Sequence, residues 1–358
     1  MSKKRNGSLD LLKFLFALMI VFFHGKNLSN DGTYIFTGGN IGVEFFFIVS
    51  GCLMAASATR KEMTTTLGRD TKDFIIHKIK GLMPNYYVAF IIAFLVVHRD
   101  VPNAAVFFGD LANSIWELLL ITATGLGQDN GLNNGPVWYL SAMLLAMIII
   151  WPLMRKYKDT FLYIIAPVAL LILLGFTYHN WAHFGGANIW FGQVLKGTVR
   201  AFMGILIGSV IYLVSSKLQS LNLSKLSIAL LSIAEISGYI SIFVINFYYG
   251  RNREDWLYLF LLSVCVTITM SNVSIWATCL QGSVCSWLGV FSYSLYLGHG
   301  FWSSAVPEIF PNMTYWERMP IYLGLAFGTG LFIHFVSIGL RRLWANNSKK
   351  IKAVFINS

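Results

Sequence analysis

The stretch LDLLKFLFALMIVFFHGKNL (Leu9–Leu28) decides the class of this chain. It is long and apolar enough to cross a bilayer as one helix. Near its far end it carries a histidine, His24. A second apolar segment follows at once and opens on an acid, Glu44, in IGVEFFFIVSG (Ile41–Gly51). Ionisable groups are costly in a bilayer and normally face a protein interior or a wet cavity, so each is a candidate functional residue.

The rest of the chain repeats the first pattern. Its 358 residues are 56% hydrophobic and 12% charged, against about 25% charged in a soluble domain. Apolar runs of spanning length recur at roughly 9–28, 41–59, 82–98, 137–154, 160–178, 198–214, 226–249, 256–274, 287–306 and 319–340. The stretch 104–124 is apolar but holds Asp110 and Glu117, and reads as an interfacial or re-entrant helix. The expectation is an all-α polytopic membrane protein, a single bundle of about ten transmembrane helices over 1–358.

A net charge of +11 raises the question of nucleic acid, and the placement of the charges answers it. With ten spans and the N-terminus inside, 19 of the 27 Lys and Arg fall on inner segments, among them Lys3, Lys4, Arg5, Arg69, Lys78, Lys80, Arg155 and Arg341. Seven fall outside (Lys26, Arg99, Lys196, Arg200, Arg251, Arg253, Arg318), and Lys13 lies in the first span. That is the positive-inside pattern, with both termini cytoplasmic and membrane lipids rather than nucleic acid as the partner of the basic charge. The N-terminal run is too long for a signal peptide and lacks a small-residue cleavage site. Cys52, Cys265, Cys279 and Cys285 have no metal-ligand spacing, so neither zinc nor a disulfide framework is implied.

At about 1.5 Å per residue, His24 stands about 22 Å from the inner end of the first span, and Glu44 about 5 Å below the outer end of the second. The two can share a layer, with the carboxylate fixing the imidazole tautomer of a general base. The plainer alternative has His24 bonded to a backbone carbonyl and Glu44 at the interface. Trp138 and Tyr139 open the fourth span after the loop GQDNGLNNGP (Gly127–Pro136), where such residues commonly serve as anchors. His299, in FSYSLYLGHGFW (Phe291–Trp302), is open to either packing or chemistry, and Glu235 has no evident partner. On the inner face, Asp10 and Lys13 are three apart and can pair. The 60–81 loop adds His77, Lys78 and Lys80. Such a cluster suits a phosphorylated ligand, or equally a positive-inside anchor.

These pieces, in this order, resemble the acyltransferase-3 family of integral-membrane O-acyltransferases. The resemblance rests on Arg5 with SLDLLKFLFALMIVFFH (Ser8–His24), GVEFFFIVSGCLM (Gly42–Met54), HKIKGLMP (His77–Pro84), VWYLSAMLLAMIIIWPLM (Val137–Met154) and FSYSLYLGH (Phe291–His299). It implies transfer of an acyl group, commonly acetyl from acetyl-CoA, to a hydroxyl of a cell-envelope glycan or lipid-linked sugar at a bacterial inner membrane, with no metal. The family's essential histidine maps onto His24 and its acid onto Glu44. Arg5, Lys13, Lys78 and Lys80 then fall on the donor-phosphate side, and Asp10, Trp138, Tyr139 and His299 are acceptor-side or structural. The basic stretch departs from the usual arginine-rich form, with Gly81 where another Arg is often seen. No esterase-like tail is seen, so the chain looks like a short, transferase-only member. His24 would act as base toward the sugar hydroxyl or as a transient acyl carrier. The rival is a glycolipid or solute transporter using His24 and Glu44 for proton coupling; a scaffold would need neither residue where it is.

Overall fold

In hydrocarbon every backbone polar group must be paired within its own segment, so spanning runs that do not close into a barrel become helices. The structure is a computed structural model that describes residues 6–356 apart from 61, 128–130 and 251, with side chains to residue 344. Its helices are α1 (Gly7–His24), α2 (Ile41–Arg60), α3 (Leu67–Val97), α4 (Ala104–Asn113), α5 (Ile115–Leu118), α6 (Trp138–Lys156), α7 (Lys158–Thr160), α8 (Ala166–Asn180), α9 (Lys196–Ser220), α10 (Lys225–Tyr248), α11 (Asp255–Ser271), α12 (Trp276–Cys279), α13 (Ser283–Ile309) and α14 (Tyr315–Ile356). The one sheet among the described residues is an antiparallel hairpin of β1 (Trp190–Phe191) and β2 (Val194–Leu195). The protein is an all-α multi-pass membrane protein.

All ten expected segments are helical, and among the described residues eight are long and apolar enough to cross a membrane. The eighth run, 256–274, is shortened to the 17 residues of α11, which ends where Asn272 turns left-handed with φ 58°. The ninth, 287–306, lies in α13, which has 27 residues but is diluted by Ser, Gly and Tyr.

Two expectations need correction. The inner stretch 60–81 is not a loop: α3 begins at Leu67 and runs 31 residues, through Pro84. Its first half is clamped to α6 by Asp70, which accepts from Trp151 Nε1 at 2.9 Å and from Arg155 at 3.0 and 3.1 Å. Nor is 104–124 one helix. It breaks into the largely exposed α4 and the short α5, whose Glu117 is buried. Burial pushes the Glu117 carboxyl up against the opposing pull of hydrogen bonds from Asn133 and Asn134. That carboxylate hooks the 133–135 loop to the bundle.

Two glycine contacts set the site. α2 packs most extensively on α9. A Cβ on Gly51 or Gly208 would collide with the backbone at Ile205 or Ile48. Such close backbone approach is what small residues permit in membrane helices. It presses Glu44 of α2 toward Arg200 of α9. Likewise α1 lies along α13, where Gly289 leaves room for the side chain of Asp10. This pairing brings the last residue of α1, His24, against His299 within α13.

Candidate active site

His24 is the last residue of α1. Its Nδ1 lies 2.9 Å from the Ile20 carbonyl, one turn back, and 3.2 Å from Nε2 of His299 on α13. His299 is wholly buried, and its own Nδ1 lies 2.6 Å from the Tyr296 carbonyl. A carbonyl only accepts, so each Nδ1 carries the proton; the tautomers are assigned from these partners. His299 Nε2 is then an acceptor, and the Nδ1–H of His24 is shared between it and Ile20. This leaves the Nε2 of His24 as its basic nitrogen. The end of α1 is held in turn by Arg318 of α14, 1% exposed, whose guanidinium donates to the Leu28 carbonyl at 2.6 Å and to Asn30 Oδ1 at 3.0 Å.

Glu44 does not take the role expected of it. It is wholly buried in the first turn of α2, and its oxygens accept from Arg200 Nε at 2.6 Å and Nη2 at 2.9 Å. A carboxylate buried at that depth is stable only when paired, and the planar fork of arginine supplies both bonds. The imidazole of His24 is therefore met by His299, on a different helix from the acid. Arg200, which the charge pattern puts among the outer cations, lies 2% exposed in the first turns of α9, its guanidinium 5.0 Å over the Trp138 ring.

His24 and Arg200 share a cavity of ≈ 390 Å³ with Ile20, Phe23, Asn40 and Trp138 among its walls. A second cavity, ≈ 370 Å³, opens at the other end of α1. It is lined by Lys13, His77 and Lys78, and its floor toward His24 includes Phe46, Tyr139 and Tyr296. Asp10, buried, holds Lys13 at 3.2 Å, and Lys78 lies over the Phe74 ring. Of the expected phosphate-binding set, Lys13 and Lys78 come together; Lys80 is exposed and is no part of the lining, because it points off α3 away from the bundle. Arg5 lies outside the described residues. Among the described residues no three His, Cys, Asp or Glu side chains gather as a metal site would require.

Residues 6–338 match the family described as "Acyltransferase domain", the acyltransferase-3 family. The chain belongs to that family. It is 25% identical over 362 residues to the protein of Bacillus subtilis named "Putative peptidoglycan O-acetyltransferase YrhL", covering 93% of this chain and 54% of that one. It is 23% identical over 371 residues to "Putative O-acetyltransferase SACOL0978" of Staphylococcus aureus, covering 95% of this chain and 55% of the relative. The chain thus spans about half the length of the curated relatives it matches. No solved structure matches.

In this acyltransferase-3 chain the wall between the two cavities is aromatic. The rings of Phe46, Tyr139 and Tyr296 stand 5.8–6.2 Å apart. Tyr296 is 5.6 Å from His299, whose ring is 5.0 Å from His24. Tyr139 is buried in this wall, so it is not an interfacial anchor, and its hydroxyl faces Ser50 at 3.4 Å. Trp138 is half-buried and lines the His24 cavity. Sequence reasoning missed Arg200 and Arg318. Arg200 could have been found, because it sits inside the expected span 198–214 and a charge there demands a partner. Arg318 lay before the run 319–340 and gave no such signal. Glu235, unassigned from sequence, accepts from Thr269 Oγ1 at 2.6 Å between α10 and α11.

Proposed function

We propose that the protein is a membrane O-acyltransferase that moves an acyl group, acetyl from acetyl-CoA, onto a hydroxyl of a cell-envelope glycan or lipid-linked sugar. The observation that carries the reading is the imidazole pair: His24 on a cavity wall, its Nδ1 fixed 3.2 Å from buried His299. A sugar hydroxyl is a poor nucleophile at neutral pH, and a positioned base that takes its proton is worth about 10²–10⁴ in rate. His24 Nε2 takes that proton as the hydroxyl oxygen attacks the thioester carbonyl. The carbon–sulfur bond breaks, and the thiolate leaves and is protonated. The positive charge that His24 acquires is shared through Nδ1–H with the accepting nitrogen of His299. Glu44 serves at one remove, holding Arg200 beside the cavity.

The Lys13 cavity is the donor side in this reading. Lysine ammonium groups bind phosphate as point charges, and the excess of basic residues on the same ends of the helices supports a cytoplasmic position for that side. The acyl thioester would then reach His24 past Tyr139 and Tyr296. The acyl-carrier route, in which Nε2 of His24 is itself acylated and then releases the group to the sugar, uses the same residues. Proton-coupled transport draws less support, because its second proton group, Glu44, is tied by two bonds to Arg200.

The test is mass spectrometry of envelope glycans from cells with the intact gene, without it, and with His24→Ala at equal membrane abundance. Loss of an acyl mass increment in both altered strains is the expected result. Normal acylation with His24→Ala would refute the base and the carrier alike.

A further inference from the structure

Asn40 stands in the turn that leads into α2 and lines the His24 cavity. Its residue is 6% exposed, and neither Nδ2 nor Oδ1 has a hydrogen-bond partner. Among the described residues no other buried side-chain amide leaves both its nitrogen and its oxygen unpaired. Buried polar groups are nearly always paired, so such an amide asks for an explanation. Helix capping does not supply one. The backbone carbonyl of Asn40 accepts from Val43 N at 3.2 Å while its side chain stays out.

The position of Asn40 is rigid with respect to His24. A Cβ on neighbouring Gly39 would stand 2.7 Å from Phe23 Cβ, and one on Gly42 would stand 2.8 Å from Ile20. The start of α2 is therefore pressed against the last turns of α1, the turns that carry His24. Asn40 and His24 thus line one cavity, in which apolar Ile20, Phe23 and Val43 stand with polar Lys26, Asn188 and Arg200. A few placed polar groups on an apolar wall are what orient a small ligand.

We infer that Asn40 reads the acceptor, and that what it reads is a pair of adjacent hydroxyls on a sugar. This rests on the acyl-transfer reading. A carboxamide presents an N–H donor and a carbonyl acceptor side by side. A phosphate or carboxylate can only accept and leaves Oδ1 unpaired. An ammonium can only donate and leaves Nδ2 unpaired. The N–H and carbonyl of an acetamido group point in opposite directions. A vicinal diol gives and takes on one side, and matches both halves at once. Ring C–H groups then rest on the apolar wall. With two hydroxyls held by Asn40, a further hydroxyl is presented to His24, so the amide sets which position is acylated.

The test compares envelope glycans from cells carrying the wild-type protein, Asn40→Leu or Asn40→Asp at equal membrane abundance, with the gene-deleted strain alongside. The acyl position is localised by tandem mass spectrometry and NMR. We expect the wild-type to acylate one position of a sugar that also bears two adjacent hydroxyls. Asn40→Leu lowers acylation about tenfold and spreads what remains over more than one hydroxyl. Asn40→Asp keeps an accepting oxygen without the N–H, lies between the two in amount, and also spreads the position. Should Asn40→Leu fail to reach the membrane or leave too little product to localise, the position in Asn40→Asp decides. An unchanged position in the variants, with or without loss of amount, would overturn the inference, as would a wild-type acylated sugar lacking such a pair. If wild-type and gene-deleted cells carried identical glycans, acyl transfer to the envelope would itself be refuted, and this inference with it.

Discussion

The cavity at His24 and the cavity at Lys13 enclose nearly equal volumes, ≈ 390 and ≈ 370 Å³, and hold their ionisable groups in opposite ways. At His24 the groups are locked. Arg200 and Glu44 share two short bonds, and His24 leans on a histidine buried in another helix. At Lys13 they are loose. Lys13 is 24% exposed, His77 is exposed, and Lys78 is held by little beyond the Phe74 ring. A site where bonds rearrange must hold its groups within fractions of an ångström, whereas capture of a flexible polyphosphate tolerates long, mobile ammonium arms. In the proposed function the two regions divide the labour between chemistry and capture, and each substitution below tests one side of that division.

The largest effect belongs to His24→Ala. Acyl transfer should fall about 10²–10⁴-fold, at wild-type membrane abundance, because the side chain is only half-buried and lines a cavity. Acylation of envelope glycans measured against protein level checks this, and activity within a few-fold of wild-type would remove the chemistry from that side. Next comes the locked pair. Glu44→Ala strands the Arg200 charge in the bundle and should destabilise the protein by about 3–5 kcal/mol, read as a lower unfolding midpoint in detergent and reduced abundance. Removing both charges together should cost less than removing either one. Asp10→Ala at the looser end leaves Lys13 partly solvated and should cost no more than about 1 kcal/mol. Equal losses for Glu44→Ala and Asp10→Ala would erase the distinction between the two regions.

His299→Phe should lower the turnover of His24 by about 10- to 100-fold with little change in KM for either substrate, since it removes an orienting partner and leaves the binding walls intact. A change confined to KM would assign His299 to binding. The variant also probes how the fold became legible. Spanning runs, the basic bias and His24 as a candidate could be read along the chain, because each is a local property of one segment. The partners of the candidates could not. His24 meets a residue 275 positions away, and Glu44 one 156 positions away, and each pairing depends on which helix faces which. Depth arithmetic puts Glu44 near the layer of His24 without indicating its azimuth around α2, so from sequence the acid of the neighbouring span reads as the histidine's partner. The rotation was written in the glycines instead: Gly51 and Gly208 fix α2 on α9, and Gly289 fixes α13 on α1. The helical first half of α3 was missed because Pro84 and its lysines resemble loop punctuation. Its stabilising contacts with Trp151 and Arg155 come from another helix.

The smallest effects lie on the capture side, where two lysines two positions apart should behave differently. Lys78 lines the cavity beside Lys13, whereas Lys80 is exposed off it. Lys78→Ala should raise KM for acetyl-CoA about tenfold at unchanged kcat, the worth of one charge-assisted contact made equally in ground and transition states. Raising the ionic strength should narrow the gap between Lys78→Ala and wild-type, as expected for a half-exposed charge. Lys80→Ala should leave both constants where they are. Steady-state kinetics on membranes with matched protein levels separates these outcomes. If the two substitutions raised KM alike, the basic residues would be acting as a diffuse positive surface that attracts the donor, and the Lys13 cavity would lose its claim to hold the phosphates.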